Sequence, residues 1–223
     1  MVVLATKIYV EGDARDRALD SLRSLVGNEL ADLDVEWTLG LRDDDFPSVT
    51  VEGDDEVVAR NLLREEWGAI TSAFEDGEEY VGTLESWDDD GFILDAGERV
   101  RVPASELGLG QGTPEQIRNR FGLVQHLPLR FVYDEDAPRL ADSERDRLYD
   151  WTRAETGRLN VNSATRAEVR ATVNRAGHAQ DIVTVERLGL LEQSVVCKAD
   201  TDPPGLLASV GQYLPAELLC VVP

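Results

Sequence analysis

The sequence predicts an α+β chain of three consecutive units, and three observations lead there. Along residues 3–76 the apolar spacing switches between helical and alternating periods. Residues 77–136 break into short strand-like runs with turns between them. Residues 158–222 show a complete βαββαβ alternation. The expected boundaries are 1–76, 77–136 and 137–223, the last including a connecting helix.

In chain order, residues 3–10 read as a strand. Asp13 is placed to cap a helix to about Ala31, with Ala18, Leu22, Leu25, Val26 and Leu30 on one face. Val35, Trp37, Leu39 and Leu41 alternate with Asp34, Glu36, Thr38 and Gly40, a period of two that predicts a half-buried strand. An Asp43–Asp45 turn leads to a strand around Phe46–Val51. Asp54 is placed to cap a second helix with Val57, Val58, Asn61 and Leu62 on its inner face. The order βαββα is most of a ferredoxin-like unit.

After an acidic linker at 71–79, short strands are expected at Tyr80–Glu85, Gly91–Asp95, Arg99–Val102 and Leu129–Tyr133, which suggests a small barrel. Thr113-Pro114-Glu115-Gln116 is a capping box with proline in the first turn, so a helix is expected to about Phe121. A second linker at 134–142 precedes a helix from Ser143 to about Thr156. The last unit then reads as strand Arg158–Asn162, a helix capped by the Thr165/Glu168 box and ending at Gly177, strands Asp181–Leu191 and Gln193–Ala199, a helix from Asp202-Pro203, and strand Glu217–Val222. A ferredoxin-like order puts the third and fourth strands on either side of the first. Cys197 and Cys220 would then be separated, and no disulfide is expected.

The chain holds 44 Asp+Glu against 22 Lys+Arg, a formal charge of −22. This argues against non-specific binding to DNA or an anionic membrane. No apolar run reaches the ~18–20 residues of a membrane span. The first residues, MVVLATKIYVEGD, have no basic leader, so a cytoplasmic location is expected. Only Lys7 and Lys198 are lysine; the other 20 bases are arginine. Abundant carboxylate with almost no lysine resembles proteins of salt-in halophilic archaea. That implies molar salt, where the Debye length is about 3 Å and self-repulsion is screened. The charge is also uneven. Residues 1–76 carry 19 acids and 7 bases, 77–136 carry 13 and 5, and 137–223 carry 12 and 10, giving −12, −8 and −2. Within 153–180, Arg153, Arg158, Arg166, Arg170 and Arg175 face only Glu155 and Glu168, a local +3. Arg166 and Arg170 are four apart on one helical face. This stretch is either a contact for an anionic partner such as RNA or is paired internally with the acidic N-terminal unit.

Gly82-Thr83-Leu84-Glu85, Asp90-Gly91-Phe92-Ile93-Leu94-Asp95-Ala96-Gly97 and Val102-Pro103-Ala104-Ser105-Glu106-Leu107 resemble an S1-type OB barrel over about 55 residues. The resemblance implies a surface that binds single-stranded RNA by stacking and cationic contacts. It places Phe92 at the stacking position, with Arg99 and Arg101 able to reach phosphate. The alternative is that Phe92 is core and the arginines pair with Asp95 and Glu98. Asp88–Asp90 beside the site and the helix near 113–121 depart from the S1 pattern.

Other motifs carry less. The glycine-rich run 108–112 lacks a following Gly-Lys-Ser/Thr and reads as a loop. The first and third strands of the last unit lack the aromatics of an RNA-recognition domain. Asp202-Pro203-Pro204-Gly205-Leu206-Leu207 resembles the helix start of small ligand-binding ACT domains, displaced to the wrong strand. Cys197, Cys220, His126 and His178 match no zinc spacing. No nucleophile elbow, Walker motif or paired His and nucleophile is present, so neither an enzyme nor a cofactor is expected.

Gly112–Ile117 with Phe121–Val124, and Arg175–His178 with Val185–Glu192, resemble an archaeal conserved family with no assigned activity. The leading expectation is a non-enzymatic RNA-associated factor linked to the ribosome or translation. It would bind RNA through Phe92, Arg99, Arg101, Arg166, Arg170 and Arg175. The alternatives are a protein-interaction adaptor of the transcription apparatus and a small-molecule sensor using Pro204 and Gly205.

Overall fold

The computed structural model describes residues 1–223 as a mixed α+β protein with three antiparallel sheets. The first unit comprises β1 (Val2–Val3), α1 (Asp13–Glu29), β2 (Val35–Leu41), β3 (Pro47–Gly53) and α2 (Glu56–Trp67), with sheet order β1-β3-β2. Alternation along β2 leaves every second residue half-buried, as its period of two requires. Ala18, Leu22 and Val26 of α1 are buried against the sheet.

Three local expectations change here. Of the 3–10 stretch only Val3 joins the ladder, with Val2 before it; Leu4 makes an isolated bridge to Ala69 and the chain then leaves the sheet, fully buried at Leu4, Ala5 and Ile8. The caps shift by one residue. Gly12 precedes α1, and Asp55 precedes α2 with its carboxylate occupied by the Asp34 amide. The inner face of α2 consists of Ala59, Leu63 and Trp67, whereas Val57, Val58 and Leu62 face outward. Spacings of four select the buried stripe, and the Trp67 ring anchors it.

The middle unit comprises β4 (Glu79–Asp88), β5 (Gly91–Asp95), β6 (Arg99–Pro103), α3 (Pro114–Phe121), β7 (Pro128–Val132), β8 (Arg139–Leu140) and α4 (Asp142–Arg153). Its sheet, ordered β6-β5-β4-β7-β8, curls into a half-barrel whose edges β6 and β8 approach without pairing. Both halves of the Thr113/Gln116 capping box form, and Gly122 ends α3 at φ +64°. Leu148 and Trp151 of α4 bury into the same core as Phe92, Leu94, Phe121 and Phe131. The connecting helix, grouped above with residues 137–223, therefore packs as part of the middle unit.

The third unit comprises β9 (Arg158–Val161), α5 (Arg166–Arg175), β10 (Ile182–Arg187), β11 (Gln193–Cys197), α6 (Pro203–Val210) and β12 (Leu218–Val221), in sheet order β10-β11-β9-β12. The Thr165/Glu168 box caps α5, and the Asp202 carboxylate accepts from the Gly205 amide to start α6. Strand β9 separates the free thiols of Cys197 and Cys220.

The units interlock. Leu190 and Leu191, at the tip of the β10–β11 hairpin, belong to the N-terminal core, and Val221 of β12 belongs to the middle core. No helix is long and apolar enough to cross a membrane.

Candidate nucleic-acid interface and the junction of the three units

The six residues expected to bind RNA divide into three groups. Phe92 corrects the expectation outright: it is 0% exposed in the half-barrel core, pairs across the ladder with Val102, and offers no face for stacking. Its strand parity explains this, since Phe92 and Leu94 point inward while Ile93 between them is only partly buried. Arg99 and Arg101 alternate outward on β6. Arg101 is held by Asp88, with hydrogen bonds of 2.6 and 2.9 Å, while Arg99 has no ion-pair partner. This pairing raises the Arg101 pKa and lowers that of Asp88, the hydrogen bond being the main cause in each case. Beside them a shallow groove of about 340 Å³ runs along Phe74 and Tyr133, whose rings stack 4.8 Å apart, but Asp134–Asp136 also line it.

The third group is α5. Arg166, Arg170 and Arg175 are all exposed, and none forms an ion pair. Arg175 lies over the Tyr213 ring at 4.6 Å. The one acid on this helix, Glu168, is engaged by its own cap and by Arg17 of α1 at 2.6 Å. Burial works against its ionised form, but the cap and Arg17 outweigh it and lower its pKa. Internal pairing with the N-terminal unit thus uses the acid of α5 and leaves its bases free. The glycine-rich run before α3 has another role: Arg120 donates to the carbonyls of Leu109 and Gln111 and pins it.

Sequence reading missed a polar seam where the units meet. Lys7, one of only two lysines, sends its ammonium to Asp95 Oδ2 at 2.8 Å and Glu85 Oε1 at 3.0 Å, both in the middle unit. Burial opposes the ammonium, but these two carboxylates outweigh it and raise the Lys7 pKa. Glu85 Oε1 also accepts from Thr83 Oγ1 at 2.7 Å and lies 3.3 Å from His126 Nδ1. Burial would raise the Glu85 pKa, but the hydrogen bonds from His126 and Thr83 and the Lys7 charge hold it at about 2. The Tyr9 ring lies 3.9 Å from the His126 ring, and its hydroxyl donates to Glu192 Oε1 at 2.7 Å. The Ser163 amide donates to that same hydroxyl. Complete burial pushes the Glu192 pKa up to about 8. The Tyr9 pKa is raised above the tyrosine range, first by burial and then by Glu192. Burial thus favours the neutral form of Glu192, in keeping with an interior position that has no cation beside it.

A second link joins α3 to the third unit. Arg118, 3% exposed, pairs with Glu217, whose other oxygen accepts from the Gln125 amide at 2.6 Å. The Arg118 guanidinium also lies 3.8 Å from the Trp87 ring centroid. Burial lowers the Arg118 pKa, which marks the cost of holding this charge inside. The seam and this ion pair tie residues of different units together. The only sequence signal for them was the rarity of lysine. The partners lie far apart in the chain, and only tertiary packing brings them together.

The chain consists of three interlocked α+β units of a conserved family without an assigned activity. It belongs to the DUF2110 family: its N-terminal domain matches at residues 1–73, its central domain at 74–152 and its C-terminal domain at 156–222. The central match includes α4, in accord with the burial of Leu148 and Trp151 in the half-barrel core. The chain has no significant match among curated proteins.

Proposed function

We propose that this protein is a non-enzymatic RNA-associated factor, linked to the ribosome or translation, that contacts phosphate through α5. The observation that carries this reading is the set of three exposed, unpaired arginines on one helix in a chain of net charge −22. Arg166 and Arg170, four residues apart, share one side of α5, and a locally cationic helix in an acidic chain is the natural candidate for phosphate contact. Arg99 adds a fourth free guanidinium on the edge of the half-barrel.

The finer fold assignments support the same reading. The order β10-β11-β9-β12 supports a ferredoxin-like reading of the third unit, and β1-β3-β2 supports the same reading of the first without its last strand. Residues 69–70 take part of that place, since Ala69 bridges Leu4. The curled β6-β5-β4-β7-β8 sheet is read as an S1-like OB barrel left open at one side, with Tyr133 and Phe74 in place of Phe92 as the reachable aromatics. Scarce lysine and abundant carboxylate fit a high-salt archaeal cytoplasm.

The test is sedimentation of lysate at molar salt with and without ribonuclease. Co-sedimentation with ribosomal particles that ribonuclease abolishes is expected; a protein that stays at the top of both gradients excludes the reading. One observation favours a protein-binding adaptor instead: Val57, Val58 and Leu62 form an exposed apolar stripe on α2. That reading predicts co-purifying proteins that survive nuclease.

A further inference from the structure

All three units meet at a cleft of about 300 Å³, and each contributes to its wall. The first gives Trp67 and Glu66, the middle gives Arg130, Ser143, Glu144 and Arg147, and the β10–β11 hairpin gives Arg187 and Leu188. Its volume is at the lower end of the roughly 300–1,000 Å³ typical of small-molecule sites, which favour such domain junctions. Three guanidinia line it, each paired with one carboxylate (Glu66, Glu144 or Glu79), so the charges balance and the cleft offers an anion the guanidinium donors those pairs leave unused.

The guanidinia are held in place from behind. Arg187 lies 4.2 Å from the Trp67 ring centroid and pairs with Glu66. Arg147 lies 5.1 Å from the Trp151 centroid and pairs with the buried Glu144. Arg130 pairs with Glu79 at 3.2 Å, and its backbone amide donates to Glu144 Oε2. A guanidinium has five N–H donors. These contacts occupy two on Arg147 and one each on Arg130 and Arg187, so each keeps donors for a ligand. The side chains are 34%, 47% and 23% exposed respectively for Arg147, Arg130 and Arg187, reachable yet partly desolvated. Ser143, in the first turn of α4, adds a hydroxyl at the positive end of the helix dipole.

We propose that this cleft binds a small phosphate-bearing organic anion of sugar-phosphate size. Fork-shaped guanidinia match tetrahedral phosphate oxygens, and ion pairs that fix their orientation reduce the entropy lost on binding. The apolar walls Val81, Pro128 and Leu188 accommodate the organic part. The site forms only when the three units are assembled, so its ligand stabilises that assembly.

The test is thermal-shift titration of the full chain at fixed ionic strength with inorganic phosphate, ribose 5-phosphate and citrate. A saturable rise in Tm is expected with both phosphates, tighter for ribose 5-phosphate and weaker for citrate. Arg147→Gln and Arg187→Gln should each weaken the apparent Kd about tenfold or more, as loss of a charge-assisted hydrogen bond predicts. Arg130→Gln, changed at the most exposed of the three, gives the same readout if either of those variants folds poorly. The response should persist in an Arg166→Gln, Arg170→Gln, Arg175→Gln variant, which separates this site from α5. Absence of saturation, an equal response to citrate, or a response unchanged in the cleft variants overturns the proposal.

Discussion

The Tyr9 hydroxyl donates to Glu192 Oε1 at 2.7 Å and thereby ties residues 183 positions apart, one in the first unit and one in the hairpin of the third. Glu192 is wholly buried, and its second oxygen has no partner. Tyr9→Phe leaves a buried acceptor unsatisfied, at a cost of about 1–3 kcal/mol. For a chain of this size that is a fall in Tm of about 2–4 °C per kcal/mol, read by calorimetry.

Glu192 also sets a pH dependence. Its folded pKa of about 8 lies above that of an unfolded glutamate. The native state therefore binds more protons across that interval, and stability falls as pH rises from the unfolded value to about 8. Glu85, held at about 2, acts oppositely: its contribution is present above the unfolded value and is lost as pH falls toward 2. Denaturant midpoints measured at constant ionic strength should decline between mildly acidic pH and pH 8. Glu192→Gln should flatten that decline, and an unchanged slope would refute the assignment.

The Arg118–Glu217 pair gives a third expectation. Glu217→Ala leaves a guanidinium that is 3% exposed with only Glu115 at 3.8 Å and Asn119 Oδ1 at 3.4 Å, and removes the acceptor of the Gln125 amide. Breaking a buried pair on one side costs about 3–5 kcal/mol. Partial exposure of Glu217 places the expected loss near the lower figure. Urea unfolding should still show one transition, because Leu190 and Leu191 sit in one neighbouring core and Val221 in the other.

Leu190 tests that interlocking directly. Leu190→Ala opens a cavity in the N-terminal core from a residue of the third unit, and about 2–5 kcal/mol should be lost. Amide exchange should quicken in α1 and α2 as well as in the hairpin. Faster exchange confined to the hairpin would show that the units fold independently.

What was legible in the sequence was local. The Thr113/Gln116 and Thr165/Glu168 boxes form because both partners lie within one turn. The alternation at Val35–Leu41 and the strand succession of the last unit carry through because each strand's own period runs along consecutive residues. On α2, Val57, Val58 and Leu62 are as apolar as the buried Ala59 and Leu63, so composition alone does not choose between the two stripes. Phe92 was placed by family resemblance, whereas its strand parity points it inward. At α5 the sequence showed the local charge, but only the structure shows that Arg17 takes Glu168 and leaves the bases unpaired. The seam of Lys7, Tyr9, Glu85, His126 and Glu192 was hidden because its members come from three units and touch only after those units dock.

The most direct measurement is the affinity for a fluorescent single-stranded RNA as potassium chloride is raised, for the natural chain and for Arg166→Gln, Arg170→Gln, Arg175→Gln. If α5 contacts three phosphates, the slope of log affinity against log salt should become shallower by about 2 in the variant, with weaker binding throughout. Equal slopes and equal affinities in the two proteins would contradict phosphate contact through α5.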